Sequence, residues 1–178
     1  TTFRDGQQSI VPYTVDQIVH IYKLLSRLGG PNGVIQQTEF FVYSKKDQEA
    51  LDKCLQTGCK FPEVTAWIRA NKKDYELVRD IGIKETGILM SCSDYHIFNK
   101  LKMNRQQAAD LYLSIVYDVI NAGLKPRCHL EDITRADLYG FVIPFVNMLR
   151  RVSEETGVPI KIRACDTLGY GIPHSGVA

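Results

Sequence analysis

Signals for helix starts alternate with short apolar runs along most of this chain, and no other feature limits its fold as strongly. Five segments have a Ser, Thr or Asn followed three residues later by Asp or Gln, beginning at Thr14, Ser44, Asn71, Asn104 and Thr134. This capping-box pattern marks a first helical turn, because its side chains bond backbone amides that lack helical partners. The pattern predicts helices over residues 15–28, 44–58, 71–82, 104–123 and 134–157.

The segments between these helices are rich in apolar and β-branched residues. They span residues 33–42, 64–68, 87–92, 127–133 and 160–165. Strands that alternate with helices predict a parallel sheet with helical crossovers. A doubly wound sheet and a (β/α)8 barrel share this pattern. A dinucleotide-binding sheet has a glycine-rich turn directly after its first strand. Here the glycine-rich segment 29–33 follows a predicted helix and is interpreted as a loop.

Polar and ionisable residues gather at the carboxyl ends of the predicted strands. They are Arg4-Asp5, Glu39, Ser91-Ser93-Asp94, His129-Glu131-Asp132 and Asp166-Thr167. In a barrel these ends converge on one mouth, where catalytic groups lie. We therefore predict an α/β fold, an incomplete (β/α)8 TIM barrel from the end of strand 1 to about strand 6. Since a barrel needs about 250 residues, we expect residues 1–178 to form a partial catalytic domain without closing strands 7 and 8.

Net charge argues against nucleic-acid and membrane partners, and cysteine content indicates the redox state of the thiols. A formal net charge of +2 is too small to indicate nucleic acid or an anionic membrane, and no apolar run is long enough to span a bilayer. The five cysteines are an odd number spread along the chain, which favours reduced thiols in a cytoplasmic protein. We expect small-molecule substrates and a cytoplasmic location.

Four segments together resemble the pyruvate-carboxyltransferase-like, or DRE-TIM, metallolyase barrels. Residues 2–8 are similar to the first signature of that superfamily. Residues 93–105, 131–137 and 166–173 resemble the fourth-, fifth- and sixth-strand segments of its 2-isopropylmalate and homocitrate synthases. Biotin-dependent carboxyltransferases of the superfamily carry a lysine where this chain has Cys165, which argues against transcarboxylation.

Three positions depart from the pattern of those synthases. Their second strand carries a glutamate before Gly-Phe-Pro, and here either Gln37 takes that position or Glu39 replaces it two residues later. His129 stands where the synthases usually have serine. His174 has no histidine partner at the spacing of the family's His-x-His ligands, so we expect an incomplete metal site in residues 1–178.

The resemblance implies a metal-dependent Claisen-type condensation of acetyl-CoA with a 2-oxo acid. The enzyme would be an acyltransferase of the 2-isopropylmalate, homocitrate or citramalate synthase type, in amino-acid biosynthesis and homodimeric at full length. Acetyl-CoA would be the co-substrate and Mn²⁺, Mg²⁺ or Zn²⁺ the metal. The favoured acids are pyruvate, 2-oxoisovalerate and 2-oxoglutarate. The alternatives are a carbon–carbon lyase of the 3-hydroxy-3-methylglutaryl-CoA lyase type and a non-catalytic metabolite-binding barrel.

The same resemblance implies roles for eight side chains. The metal ligand would be Asp5, the catalytic residues Arg4, His96 and Glu131, and the substrate contacts Gln8, Glu39, His129 and Thr167. Arg4 would stabilise charge that builds on oxygen. Either a histidine or a buried carboxylate could act as the base.

Several of these residues also have a purely structural interpretation. Successive strand residues point to opposite faces, so only one of Glu131 and Asp132 can face the mouth. The resemblance favours Glu131, and Asp132 would then pair with Arg135. His129 is either a substrate contact or an internal hydrogen-bonded residue. Asp166 has a structural interpretation as the cap of the following turn, and Thr167 is the favoured ligand contact of the two. Trp67 is predicted to be a packing residue.

Overall fold

Strands and helices alternate through the computed structural model, which describes residues 2–171. The strands are β1 (Gln37–Phe40), β2 (Glu63–Arg69), β3 (Glu85–Ser91), β4 (Lys125–Glu131) and β5 (Lys161–Cys165). The helices are α1 (Val15–Gly29), α2 (Lys45–Gln56), α3 (Lys72–Arg79), α4 (Arg105–Asn121) and α5 (Ile143–Thr156). Short 3-10 turns occupy Asp5–Gln7 and Ile133–Arg135, and π-helical segments occupy Tyr95–Lys100 and Leu138–Val142.

The order of the strands separates the two folds that the sequence leaves open. The five strands follow one another in chain order, β1-β2-β3-β4-β5, and the pairs β1–β2 and β4–β5 are parallel. A doubly wound sheet reverses its strand order at a switch point, whereas a barrel places each strand beside its neighbour in the chain. The prediction of an incomplete TIM barrel is confirmed, and β1–β5 correspond to its second to sixth strands. That residues 1–178 form one catalytic domain stays a prediction.

Two compact units make up the chain, each with a buried core of its own. The first contains the residues up to Ile68 together with Lys73–Gly87, and the second contains Arg69–Lys72 and the residues from Ile88 onward. Large buried side chains of the first unit include Phe3, Ile18, Tyr22, Phe40 and Leu51. Those of the second include Met90, Ile97, Ile115, Leu130 and Phe145. Among residues 2–171, no helix has the length and apolar character needed to cross a membrane.

Three of the five predicted capping boxes form with both of their hydrogen bonds, at Thr14, Ser44 and Asn104. The box predicted at Thr134 is wrong. A 3-10 turn takes Ile133–Arg135, and the Asp137 carboxylate accepts the amide of Gly140 at 2.8 Å instead. The chain therefore enters α5 through a π-helical segment that Asp137 caps.

The first predicted strand begins four residues later than expected, at Gln37. Gly33 has φ +64°, and its amide donates to the carbonyl of Gly30 at 3.1 Å, so this part of the chain is a turn. A Cβ atom at Gly33 would lie 2.5 Å from the ring of Phe61. Both the positive φ and this close approach require glycine there. The loop interpretation of segment 29–33 is confirmed for residues 30–33, whereas Gly29 is the last residue of α1.

Candidate active site

The eight predicted site residues divide evenly between the two units. Arg4, Asp5, Gln8 and Glu39 belong to the first unit, and His96, His129, Glu131 and Thr167 belong to the second. We describe them as two clusters.

The Arg4 cluster is organised around a half-buried guanidinium group. Arg4 Nε donates to Glu39 Oε2 at 3.0 Å, and the two side chains are 14% and 4% exposed. One terminal nitrogen of Arg4 lies 3.6 Å from Asp5 Oδ1, and its Cζ lies 4.9 Å from the ring centroid of Trp67. Charge-assisted hydrogen bonds are strong where water is excluded, so this cluster holds a positive charge in a defined place.

The structure distinguishes between the two candidates for the altered second-strand position. Gln37 Nε2 donates to Glu63 Oε2 at 2.8 Å, while the Glu39 carboxylate accepts from Arg4. Glu39 is therefore the residue that contacts the first signature. Its hydrogen bond to Arg4 gives it a positioning contact, and its substrate contact stays a prediction.

Asp5 is the one predicted metal ligand, and its side chain is 59% exposed. The Arg4 guanidinium lies near the carboxylates of both Asp5 and Glu39, and carboxylate oxygens are ligands that suit a hard divalent cation. Within residues 2–171, no three His, Cys, Asp or Glu side chains form a group able to hold a metal ion. These residues thus fit one oxygen ligand of a metal site. Gln8 is exposed, and its predicted contact stays untested.

The Glu131 cluster joins a carboxylate to an imidazole and an ammonium group. Glu131 Oε2 accepts from Ser91 Oγ, accepts from Lys100 Nζ at 3.2 Å and lies 3.3 Å from His96 Nδ1. That nitrogen is buried and makes no hydrogen bond within the described residues. An imidazole beside a carboxylate can move a proton to or from a bound molecule.

That only Glu131 faces the mouth stays a prediction, but the Asp132 carboxylate also lies near His96. The φ of 65° at Asp132 turns the backbone left-handed at the end of β4, and its Oδ2 lies 4.0 Å from His96 Nδ1. Strict alternation therefore fails, since residue 132 is no longer part of the strand. The predicted pair with Arg135 is confirmed at 2.6 Å, and Ser93 Oγ also donates to the buried Asp132 carboxylate at 2.5 Å. The Arg135 hydrogen bond is the main reason that the pKa of Asp132 is lowered.

The remaining predicted residues of the second unit have internal partners. His129 is 2% exposed, and its Nε2 accepts from Arg127 Nε at 3.1 Å, as expected for an internal hydrogen-bonded residue. Thr167 Oγ1 accepts the amide of Asp132 at 2.8 Å. Asp166 accepts the amides of Tyr170 and Gly171, which confirms that it caps a turn. The substrate contacts predicted for His129 and Thr167 stay predictions.

Sequence analysis missed the contacts that Lys100 and Trp67 make. Lys100 follows the Ser93–His96 segment closely enough to have been considered a partner of Glu131. Trp67 does pack against Phe41, with ring centroids 6.0 Å apart, but it also supports Arg4. The register of β1 and β2 would have predicted that Trp67 lies near Glu39 and its partner Arg4. Thr65 is opposite Glu39, and Trp67 lies two residues further along β2 on the same face.

Known proteins share this pattern of sequence and fold. A model of the HMGL-like family matches residues 1–177. The chain is 62% identical over 177 residues to the citrate (Re)-synthase of Clostridium kluyveri, covering 99% of this chain and 39% of that protein. It is 58% identical over 178 residues to the citrate (Re)-synthase of Syntrophus aciditrophicus, covering 100% of this chain and 28% of that protein. The chain thus spans well under half of these relatives.

A solved structure supports the fold. Hydroxymethylglutaryl-CoA lyase from Pseudomonas aeruginosa superposes with a TM-score of 0.65 over 95% of this chain and 57% of that one. The identity is only 15%, so this likeness shows the shared barrel fold alone.

Proposed function

Because this chain belongs to the HMGL-like family, we propose that the whole protein condenses acetyl-CoA with a 2-oxo acid. Three features support the proposal: the family match, the buried pairing of Arg4 with Glu39, and the contact of His96 with Glu131. Both clusters hold polar groups in fixed positions, which favours catalysis over the non-catalytic alternative. The lyase alternative shares the family and the fold, but the relatives at 62% and 58% identity are citrate (Re)-synthases, which favours condensation.

The substrate that we propose is oxaloacetate, with citrate as the product. The observation that carries this choice is the 62% identity to a citrate (Re)-synthase over nearly the whole chain. Pyruvate, 2-oxoisovalerate and 2-oxoglutarate, which the resemblance to 2-isopropylmalate and homocitrate synthases favours, would give other products. Citrate requires a four-carbon oxo acid with carboxylates at both ends, so the site has to accept one more negative charge than pyruvate carries.

The reaction balances without a redox partner. The methyl carbon of acetyl-CoA loses a proton and forms a bond to the keto carbon of oxaloacetate. The keto oxygen becomes the hydroxyl of the product. Water then cleaves the thioester, so acetyl-CoA, oxaloacetate and water yield citrate and free CoA. Negative charge develops first on the thioester oxygen and then on the former keto oxygen.

Each cluster is suited to one part of this chemistry. The Arg4 guanidinium has its Nε bound to Glu39, which leaves its terminal nitrogens to face a developing oxyanion. The Glu131 carboxylate and the His96 imidazole are suited to removing the methyl proton and returning a proton to the product. Lys100 donates a hydrogen bond to the Glu131 carboxylate and so helps to hold it in position.

A divalent metal, when bound, would polarise the keto group of the oxo acid. Asp5 would supply one oxygen ligand to it. For the whole protein we further propose a cytoplasmic homodimer.

A thiol-release assay with the whole protein tests the function. With Mn²⁺, Mg²⁺ or Zn²⁺ present, we expect free CoA from acetyl-CoA with oxaloacetate and much less with pyruvate, 2-oxoisovalerate or 2-oxoglutarate. Citrate should appear in equal amount by mass spectrometry. Faster release with another acid would reject the proposed substrate. No release with any acid, from metal-loaded protein, would reject the condensation itself.

Metal content should depend on Asp5. Asp5→Asn removes a charged oxygen ligand, so we expect the whole protein to retain less metal after dialysis, measured by elemental analysis. Asp137→Asn is the matched control, since Asp137 pairs with Arg105 and caps a helical segment. Equal metal content in the Asp5 variant and the wild type would remove Asp5 from the ligand set.

A further inference from the structure

We propose that Trp67 is a positioning residue for Arg4 and that its indole face fixes the plane of the guanidinium group. The inference rests on the proposed function, because it concerns the part that Arg4 plays in the condensation. Arg4 Cζ lies 4.9 Å from the centroid of the Trp67 ring, and Trp67 is 9% exposed. Tryptophan offers the best aromatic face for a cation, and the attraction is greatest where water is excluded.

Arg4 needs such support because the backbone that carries it is not a strand. It stands directly before the 3-10 turn Asp5–Gln7, with φ −116° and ψ −81°. The hydrogen bond to Glu39 anchors the guanidinium through Nε alone. Asp5 lies 3.6 Å away and is largely exposed, so its pull is weak. A single edge contact leaves the plane of the group free to tilt, and stacking on a ring removes that freedom.

The ring that supports Arg4 is itself held in place. Trp67 lies near the carboxyl end of β2, and the ring of Phe41 meets it edge-on at 79° and 6.0 Å. The strand and the Phe41 ring together restrict the orientation of the indole, which can therefore hold Arg4 in one position. Glu39 binds one edge of the Arg4 guanidinium, and Trp67 contacts one face of it.

The unpartnered indole N–H of Trp67 indicates that packing alone does not explain a tryptophan at this position. Trp67 Nε1 is buried and makes no hydrogen bond within the described residues. A buried donor without an acceptor is destabilising, and leucine or phenylalanine would fill the space without that cost. The large electron-rich face is the property that those residues lack or have in weaker form.

The decisive experiment is a double-mutant cycle in the whole protein. Replacing the ring should lower kcat about tenfold in Trp67→Leu and about threefold in Trp67→Phe, with KM for the oxo acid nearly unchanged, in line with the strength of a desolvated cation–π contact. In an Arg4→Ala background, Trp67→Leu should cost no further activity, because Trp67 acts through Arg4. Additive losses in the cycle, or a loss confined to the melting temperature, would overturn the proposal.

Two further measurements separate this inference from its premises. Tyr22→Phe removes a buried hydrogen bond to the carbonyl of Pro62 elsewhere in the first unit, so it should lower stability and leave kcat unchanged. Trp67 is the single tryptophan of these 178 residues. Subtracting the fluorescence emission spectrum of Trp67→Phe from that of the wild type therefore gives the emission of Trp67 in the whole protein. The same subtraction made in an Arg4→Ala background should give a different Trp67 spectrum. An unchanged spectrum overturns the stacking even if the wild type proves inactive, whereas inactivity alone refutes only the proposed function.

Discussion

Arg4→Ala should lower kcat for CoA release by about 10²–10³, the usual cost of losing one oxyanion donor. The guanidinium is held in a water-poor setting, at 14% exposure, with its Nε bound to Glu39. Its effect on developing charge is therefore larger than it would be in water. The measurement is steady-state release of CoA with oxaloacetate, alongside a thermal melt.

Arg4→Lys is the informative comparison for this prediction. Arg4→Ala removes a charge-assisted hydrogen bond from the Glu39 carboxylate, which is 4% exposed, so we expect this variant to melt at a lower temperature than the wild type. Lysine keeps a positive charge for Glu39 and so preserves the fold. It cannot reproduce a planar group that bonds Glu39 through one edge and stacks on Trp67. Near wild-type kcat in Arg4→Lys would mean that charge alone matters and would contradict the assigned geometry.

Local signals in the sequence predicted most of the helices correctly. The boxes at Thr14, Ser44 and Asn104 form because a capping box needs only residues within one turn of each other. The box at Thr134 fails for a non-local reason. Asp132 binds Ser93, which lies 39 residues earlier in the chain, and Arg135 folds back to bond the same carboxylate. Residues 133–135 therefore form a 3-10 turn and cannot form the first turn of an α-helix.

The candidate site was predictable in its residue types and less so in its contacts. Strand-end polarity predicted Arg4, Glu39 and Glu131 as site residues, because the carboxyl ends of barrel strands are where catalytic groups lie. Which partner each side chain takes depends on register and backbone twist. The left-handed turn at Asp132 brings two carboxylates near His96, although alternation along a strand predicts one. The stacking of Arg4 on Trp67 depends on the register of β1 and β2, which the sequence pattern does not contain.

The two clusters also differ in how their charges are balanced. In the Arg4 cluster, one guanidinium lies near two carboxylates, those of Asp5 and Glu39. In the other cluster, Asp132 is bound by Arg135, and the pKa of that carboxyl is lowered. Asp132 therefore stays ionised and is poorly suited to accept a proton near neutral pH. Glu131, whose partners are a hydroxyl, an ammonium group and an imidazole, is the better proton carrier.

Glu131→Gln should lower kcat by about 10²–10⁴, the range for loss of a general acid or base. Glutamine keeps the size of the side chain and an oxygen that can accept from Ser91 or Lys100, so the fold should survive. What it loses is the ability to take up a proton. Glu154→Gln is the matched control, because Glu154 is 59% exposed and forms an ion pair with Arg150 one helical turn away. Such an exposed pair contributes little, and this variant should keep the wild-type kcat.

A pairwise test then shows whether His96 and Glu131 act as one proton-transferring unit. The Glu131 carboxylate lies 3.3 Å from His96 Nδ1, close enough for each to depend on the other. If they share one proton, His96→Gln should cost about as much as Glu131→Gln, and the double variant should cost little more than either, since residues that act as a unit are strongly non-additive. Exchange of the acetyl-CoA methyl protons with deuterium, followed by NMR, identifies the base, because the variant that lacks it loses exchange as well as turnover. Multiplicative losses in the double variant would show two independent roles, and wild-type kcat in Glu131→Gln would remove that residue from the chemistry.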